Sequence, residues 1–219
     1  MALALYAHPF SSYCQKALIA LYENATPFEY RQLDPEHPER ARELATWWPL
    51  QRFPVLVDRD RAVMEASIII EYLDLQHRGA VRLLPDAGAA ALEVRLMDRC
   101  FDNYVMTPMQ KIVGDRLRTE SQRDPHGVDE ARRLLETSYR WLDGVMATRT
   151  WAAGDAFSLA DCAAAPALFY ADWTHRIDPA FRHLTRYRAQ LLARPSMARA
   201  VDEARPYRAY FPLGAPDRD

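Results

Sequence analysis

The stretch "YAHPFSSYCQKALIAL" (residues 6–21) decides how the N-terminal third of the chain folds. Residues 2–7 are apolar and have no polar face, which is typical of a β-strand that is buried on both sides. After His8 and Pro9 the pattern changes to helical spacing, with small or apolar side chains at Cys14, Ala17, Leu18 and Leu21. A buried strand is therefore predicted to pass directly into an amphipathic helix.

The rest of the N-terminal third continues this alternation of strands and helices. Residues 26–33 alternate as a strand does, and residues 34–48 begin with helix-initiating chemistry. Residues 53–64 predict two short strands around a polar turn, and residues 65–77 predict a helix. The resulting order β-α-β-α-β-β-α indicates an α/β domain over residues 1–78.

Beyond this domain the sequence predicts helices without a convincing strand. Turn residues make residues 79–90 a linker, so that residues 91–219 form a second, all-helical domain. A bend is expected at Pro108, inside the first long helix. The predicted apolar stripes comprise Leu92, Leu96, Phe101, Tyr104 and Val105 in the first long helix, and Leu134, Leu135, Trp141, Leu142 and Val145 in the second.

The segment "FSLADCAAAPALFYADW" (residues 157–173) predicts a central buried helix that begins with a capping box. Ser158 precedes the helix and Asp161 follows three residues later, so each side chain can accept a hydrogen bond from a free backbone N–H. Such a cap contributes about 1 kcal/mol. The predicted role of this pair is structural, not catalytic.

The composition is that of an ordinary globular protein and argues against several classes of function. The chain has 219 residues and a formal net charge of −2, so no strong field draws it to nucleic acid or to a membrane surface. Cys14, Cys100 and Cys162 lie far apart, which predicts no disulfide framework and no metal site, and favours a reducing, cytoplasmic location. The apolar N-terminal run is too short for a signal peptide, and no stretch approaches the roughly 20 apolar residues of a membrane span.

The start of the first helix is the strongest candidate for chemistry. A helix that begins near Ser11 or Ser12 presents unpaired N–H groups and the positive end of its dipole, which stabilise an anion such as a thiolate. The plainer alternative is that one serine only caps the helix. A serine nucleophile would need a base, and nothing marks the nearby His8 as part of a triad. Cys14 lies on the apolar stripe and should be buried and inert.

Four motifs together make the sequence resemble the soluble glutathione S-transferases of bacteria, in particular their serine-type classes such as the theta- and zeta-like groups. In chain order they are SSYCQKALIAL, RFPVLVD, MEASIIIEYL and FSLADCAAAPAL. The resemblance covers nearly the whole chain. It implies a thioredoxin-like N-terminal domain, an all-helical C-terminal domain, glutathione as co-substrate and a homodimer.

The resemblance also implies which residues hold the reactive half of glutathione. Ser11, with Ser12 as the alternative, would donate a hydrogen bond to the glutathione sulfur. A cis peptide bond between Phe53 and Pro54 would turn the backbone N–H and C=O of Phe53 towards the cysteinyl part.

The two ends of glutathione are assigned by the same resemblance. Glu65 would contact the γ-glutamyl end. The serine that usually follows is replaced by Ala66, and Ser67 comes one position later, so the hydroxyl contact is either missing or supplied by Ser67. Arg52 would pair with the glycine carboxylate, or would simply be a solvated loop arginine.

The predicted function is transfer of the glutathione sulfur to a small hydrophobic electrophile of unknown identity. The predicted pocket for this second substrate, for which burial in the core is the alternative, comprises Phe10, Tyr13, Phe101, Tyr104, Met106, Met109, Tyr207 and Tyr210. Two other functions stay open. One is a glutathione-dependent reductase or peroxidase that uses Cys14, and the other is a non-catalytic ligand-binding homologue.

Overall fold

The structure is a computed structural model and describes residues 3–219. Its N-terminal elements are β1 (Leu3–Ala7), α1 (Ser12–Glu23), β2 (Phe28–Gln32), α2 (Pro38–Trp47), β3 (Val55–Asp58), β4 (Arg61–Met64) and α3 (Ala66–Gln76). The elements that follow are α4 (Gly88–Cys100), a π-helical segment (Phe101–Met106), α5 (Thr107–Arg116), α6 (Pro125–Met146), α7 (Leu159–Thr174), α8 (Arg182–Leu192) and α9 (Pro195–Ala204). Short 3-10 turns cover Glu120–Gln122 and Arg205–Tyr210. Over the described part of the chain, each helix is too short or too polar to cross a membrane.

The four strands form one mixed sheet in the order β2-β1-β3-β4. β1 pairs parallel with β2 and antiparallel with β3, and β3 pairs antiparallel with β4. Alternate side chains of β1 point to opposite faces, so that Leu5 packs with α1 and α3 whereas Tyr6 packs with Leu44 of α2. Helices cover both faces, which explains why β1 has no polar side. The predicted thioredoxin-like α/β domain and all-helical second domain are confirmed.

The central helix of the second domain is α7, in which every residue of Leu159–Trp173 is buried. The predicted capping box at its start is confirmed, and the backbone N–H of Ser158 donates to the Asp161 carboxylate at 2.9 Å. Asp161 also accepts hydrogen bonds from the Ala152 N–H and from the Tyr187 hydroxyl. One buried carboxylate thus joins the helix start to a preceding loop and to α8.

The first long helix of the second domain changes its geometry near Pro108, where a bend was predicted. α4 begins at Gly88, so the last three residues of the predicted linker 79–90 are helical. The π-helical segment follows α4, and Pro108 lies in the first turn of α5. A proline ring collides with the carbonyl group four residues earlier in a regular α-helix, and a wider turn relieves that collision.

The predicted apolar stripes of the long helices are partly wrong. Leu92 and Leu96 are 69% and 50% exposed, and Tyr104, Leu134 and Trp141 are also exposed. The predicted stripes followed the large apolar side chains, but smaller side chains occupy several of the positions that face the core. The residues that face the core are Ala91, Val94, Met97, Phe101 and Val105 in the first long helix, and Ala131, Leu135 and Leu142 in α6.

A buried ion cluster connects the two domains. Lys16 of α1 is 1% exposed, and its ammonium donates to both oxygens of Asp102, at 3.0 and 2.8 Å, and to Ser67 Oγ at 2.9 Å. Asp98, one turn before Asp102, forms a second ion pair with Lys16 and accepts a hydrogen bond from Ser67 at 2.9 Å. Arg99 pairs with both carboxylates from the more exposed side. The two cations and two carboxylates balance in charge.

Replacing Lys16 with methionine should lower the free energy of unfolding by about 3–5 kcal/mol, because the buried carboxylates of Asp98 and Asp102 lose a counter-charge. Urea unfolding followed by circular dichroism measures the change. The control is Arg132→Met, which removes an exposed ion pair with Asp129 and should cost about 1 kcal/mol or less. Equal losses in the two variants would show that Lys16 is not a buried ionic link.

Candidate functional site

A cavity of about 580 Å³ lies between the two domains. Its walls come from the loop before α1, the loop between α2 and β3, the start of α3, and one side of the helix that runs from α4 to α5. Seven of the site residues predicted from the sequence line this cavity: Ser11, Tyr13, Arg52, Phe53, Pro54, Glu65 and Ala66.

Ser11 caps α1 and faces the cavity. Its Oγ accepts a hydrogen bond from the backbone N–H of Cys14 at 3.4 Å, so the hydroxyl hydrogen can be donated to another group. The first turn of α1 contains no acidic side chain, so the positive end of the helix dipole is not neutralised there. Ser12 is buried and lies outside the cavity wall.

Cys14 lies one turn further into α1 and is fully buried in the core between the sheet and this helix. Burial raises the pKa of its thiol to about 12, so the thiol stays protonated at neutral pH. The prediction that Cys14 is buried is confirmed. This arrangement argues against a redox enzyme that uses Cys14 as its nucleophile.

The loop between α2 and β3 brings a cis peptide bond to the cavity. The Phe53–Pro54 bond is cis, as predicted, and both residues line the wall. Arg52 precedes them and is exposed, so its guanidinium is free to meet an anionic group of a ligand.

The start of α3 forms the opposite end of the cavity. Glu65 has a φ of 68° and a ψ of 121°, a region that residues other than glycine rarely adopt. No side chain caps α3, so the N–H groups of its first turn keep capacity for another acceptor. Backbone strain of this kind clusters at ligand sites, and Ala66 completes the wall beside Glu65.

Ser67 is not part of the cavity wall, which favours the alternative that the hydroxyl contact of the family's usual serine is missing. Its Oγ accepts hydrogen bonds from Lys16, at 2.9 Å, and from Arg99. It donates its own hydrogen to Asp98 at 2.9 Å. The hydrogen-bonding capacity of this hydroxyl is therefore used within the ion cluster.

Of the eight residues predicted for the second-substrate pocket, Tyr13 lines the cavity and the other seven do not. Phe101, Met106 and Met109 are buried in the hydrophobic core instead, and Tyr104 lies on the exposed side of the same helix. Residues that line an apolar pocket and residues that pack in the core have the same helical spacing. Packing against α7 places these side chains in the core.

The remaining predicted pocket residues pack elsewhere. Phe10 packs edge-on against Tyr170 of α7, with 5.5 Å between the ring centroids. Tyr207 packs edge-on against His8 at 4.7 Å, and Tyr210 is exposed beside them. These rings hold the C-terminal segment against the loop before α1 and do not form the cavity wall.

Six cavity residues were not expected from the sequence: Trp48, Gln51, Arg99, Asp102, Asn103 and Gln110. The last four lie along one side of the α4–α5 helix and make that wall polar. A signal for part of this wall was present in the sequence. Lys16 is the single charged residue in the apolar run 14–21, and Asp98 and Asp102 are four residues apart in a helix that was predicted to be amphipathic. Buried charges need partners, so these residues could have been matched to each other.

Tyr13 lies close to the charged end of the cavity. Burial raises the pKa of Tyr13 to about 12, and the nearby Asp102 carboxylate adds to the effect. The phenol is therefore neutral at neutral pH and can donate a hydrogen bond, but it is not a general base. With a hydroxyl donor at a helix start and charges of both signs at its ends, the cavity suits a small zwitterionic ligand whose reactive group is an anion.

Two family models match the chain. One is described as the glutathione S-transferase N-terminal domain and matches residues 5–80. The other is described as the glutathione S-transferase C-terminal domain and matches residues 102–195. Together they cover most of the sequence, including all of the cavity-lining residues except Arg99.

Individual proteins agree with these matches. The chain is 26% identical over 204 residues to the stringent starvation protein A homolog of Coxiella burnetii, which covers 92% of each chain. A solved glutathione S-transferase from Methylobacillus flagellatus with glutathione bound superimposes with a TM-score of 0.81 at 26% identity, over 91% of this chain and 98% of that one. One from Methylobacterium radiotolerans, in complex with glutathione sulfonate, gives 0.78 at 29% identity, over 92% and 95% of the two chains. The two domain matches and these structures agree with the cavity geometry, and the chain belongs to the glutathione S-transferase family.

Proposed function

We propose that this glutathione transferase has a serine-type site, in which Ser11 holds the glutathione sulfur as a thiolate. The observation that carries the proposal is the position of the Ser11 hydroxyl. It lies in the cavity wall at the start of α1, and it already accepts a hydrogen bond from the Cys14 N–H. Its remaining hydrogen can point at an incoming sulfur. The theta- or zeta-like assignment is proposed from the motif SSYCQKALIAL, and this geometry supports its serine-type part.

The proposed chemistry depends on thiolate formation. A free thiol has a pKa near 8.5, so about a few per cent is ionised at neutral pH. Each unit by which the site lowers that pKa corresponds to about 1.4 kcal/mol of preferential binding to the anion. A helix start and one hydroxyl donor, both preorganised, supply such a preference. The thiolate then attacks an electrophilic carbon, and Ser11 forms no covalent intermediate.

The rest of glutathione fits the remaining walls in this proposal. The backbone of Phe53 faces the cysteinyl part beside Pro54, and Arg52 faces the glycine carboxylate. Glu65 and Ala66 face the γ-glutamyl end. Residues 1–78 form the glutathione-binding domain and residues 79–90 the linker. Residues 91–219 then form the domain that contacts the second substrate.

The second substrate is proposed to be an electrophile with both apolar and polar groups. Tyr13, Trp48 and Phe53 offer aromatic surface, as expected for a hydrophobic electrophile. Asn103 and Gln110 stand where an apolar wall was predicted, and a purely apolar ligand would leave their amides without water or a partner. An electrophile with a carbonyl or carboxylate group satisfies both kinds of surface.

A homodimer is proposed on the basis of an exposed apolar patch. The Glu71–Arg95 ion pair, at 2.8 Å, brings the outer sides of α3 and α4 together. Helical spacing places exposed large apolar side chains on the same faces as this pair: Ile68 and Leu75 in α3, and Leu92 and Leu96 in α4. Contiguous exposed apolar surface of this kind marks interfaces.

A cytoplasmic location fits the three free cysteines, all of which are buried.

Replacing Ser11 with alanine should reduce kcat/KM for glutathione conjugation by about 10- to 100-fold, because a hydrogen bond to the thiolate is lost. The apparent pKa of bound glutathione should rise by about one to two units. Ultraviolet absorbance of the thiolate in the enzyme–glutathione complex, followed against pH, measures that pKa. Ser12→Ala is the matched control and should leave both quantities unchanged. Wild-type behaviour of Ser11→Ala would refute the serine-type site.

Placing glutamate at both Leu92 and Leu96 should convert a dimer to a single chain, because charges buried in an apolar interface are strongly unfavourable. Sedimentation velocity measures the mass of the wild type and of the variant. Leu117→Glu, which changes an equally exposed leucine at the end of α5, should leave the dimer intact. A wild-type protein that sediments as one chain would contradict the homodimer.

A further inference from the structure

The γ-glutamyl end of the cavity lacks the serine hydroxyl that the family resemblance leads one to expect. That end of glutathione is an amino-acid zwitterion, with a carboxylate and an ammonium on the same carbon. Ala66 has no hydroxyl, and the Ser67 hydroxyl is already bound to Lys16, Arg99 and Asp98. The ligand carboxylate therefore has the free N–H groups at the start of α3 but no side-chain hydroxyl, which leaves room for a second donor.

Arg99 is a cationic side chain at this end, because it donates a hydrogen bond to Ser67, the residue after Ala66. It lines the cavity together with Glu65 and Ala66, and its side chain is 51% exposed. Its Nε and Nη2 are held by the buried carboxylates, with Nη2 at 2.6 Å from Asp98 and 2.7 Å from Asp102. Nη1 makes no hydrogen bond to any residue in the range 3–219. The guanidinium is thus fixed along one edge and has a free donor on the other.

The opposite charge that the ligand ammonium needs lies beside Arg99. Asp102 and Glu65 both line the cavity, and Asp102 is in direct contact with Arg99. Burial raises the pKa of Asp102, and the Lys16 ammonium acts in the opposite direction and favours the carboxylate. A cation and an anion therefore stand side by side, as the two groups of the zwitterion do.

We propose that Arg99 binds the α-carboxylate of the γ-glutamyl end of glutathione and takes over the role of the missing hydroxyl at position 66. Asp102 and Glu65 receive the neighbouring ammonium. The cluster of Lys16, Arg99 and two carboxylates has no net charge, so a zwitterion enters without leaving an unbalanced charge. The inference rests on the proposed function, because it requires glutathione in this cavity.

The test compares two ligands on three proteins by calorimetry. One ligand is glutathione, and the other is its analogue with γ-aminobutyrate in place of the γ-glutamyl residue, which lacks only the α-carboxylate. Wild type should bind glutathione about 10- to 100-fold more tightly than the analogue, as expected for a charge-assisted hydrogen bond. In Arg99→Gln this ratio should fall towards one, because the N–H groups at the start of α3 are then the remaining donors to the carboxylate. In the control Arg52→Gln both ligands should weaken and the ratio should stay.

A structural role for Arg99 predicts a different result. If Arg99 only supports the ion cluster, Arg99→Gln weakens both ligands equally and keeps the ratio, which overturns the proposal. Adding Ala66→Ser to Arg99→Gln should restore part of the ratio, because a hydroxyl returns to the same end of the cavity. If Arg99→Gln does not fold, Arg99→Lys keeps a positive charge near Asp98 and Asp102 without the free edge of the guanidinium, and its ratio of affinities should fall as well.

A wild type that binds glutathione but does not prefer it over the analogue overturns this inference alone. A wild type that binds neither ligand overturns the proposed function too.

Discussion

The buried ammonium of Lys16 is the contact on which the geometry of the site depends. α1 begins at the cavity with Ser11 and then runs between the sheet and α7, and Lys16 lies in its second turn. Its ion pairs with Asp98 and Asp102 fix the second domain against the start of this helix. A buried ion pair adds little net stability over an apolar replacement, but it tolerates no loss of a partner. Its effect is therefore to define one position of the α4–α5 helix relative to Ser11, and this position sets the width of the cavity.

The same cluster explains why the Ser67 hydroxyl does not make up for the one missing at Ala66. Ser67 is recruited to complete the hydrogen bonds of Lys16 and Asp98, which a buried charged group requires. This recruitment removes its hydroxyl from the ligand side, while Arg99 reaches from the cluster to the cavity. The residues that join the domains and those that face the ligand are thus parts of one network. A substitution in that network changes stability and ligand recognition together, so the two effects have to be measured separately.

The features that could be predicted from the sequence depend on local patterns. The order of strands and helices, the capping box of Ser158 and Asp161, and the burial of Cys14 each follow from neighbours within a few residues. The features that could not be predicted depend on packing between distant elements. Leu92 and Phe101 look alike in a helical pattern, and only the position of α7 decides that Phe101 enters the core while Leu92 stays outside. The polar wall of Arg99, Asn103 and Gln110 was missed for the same reason, since the side of the helix that meets the cavity is set by the partners of Lys16.

In the proposed complex two thiols would meet the start of α1, and the protein would treat them in opposite ways. Cys14 lies inside the helix, and the loss of water raises the pKa of its thiol to about 12 despite a hydrogen bond from the backbone N–H of His8. A glutathione sulfur in the cavity lies outside the same helix end, where N–H groups and the Ser11 hydroxyl point and where water is still near. Desolvation outweighs the helix end for the first thiol, and in the proposed mechanism the helix end outweighs desolvation for the second. A cysteine three residues from the proposed catalytic hydroxyl would then not compete for the electrophile.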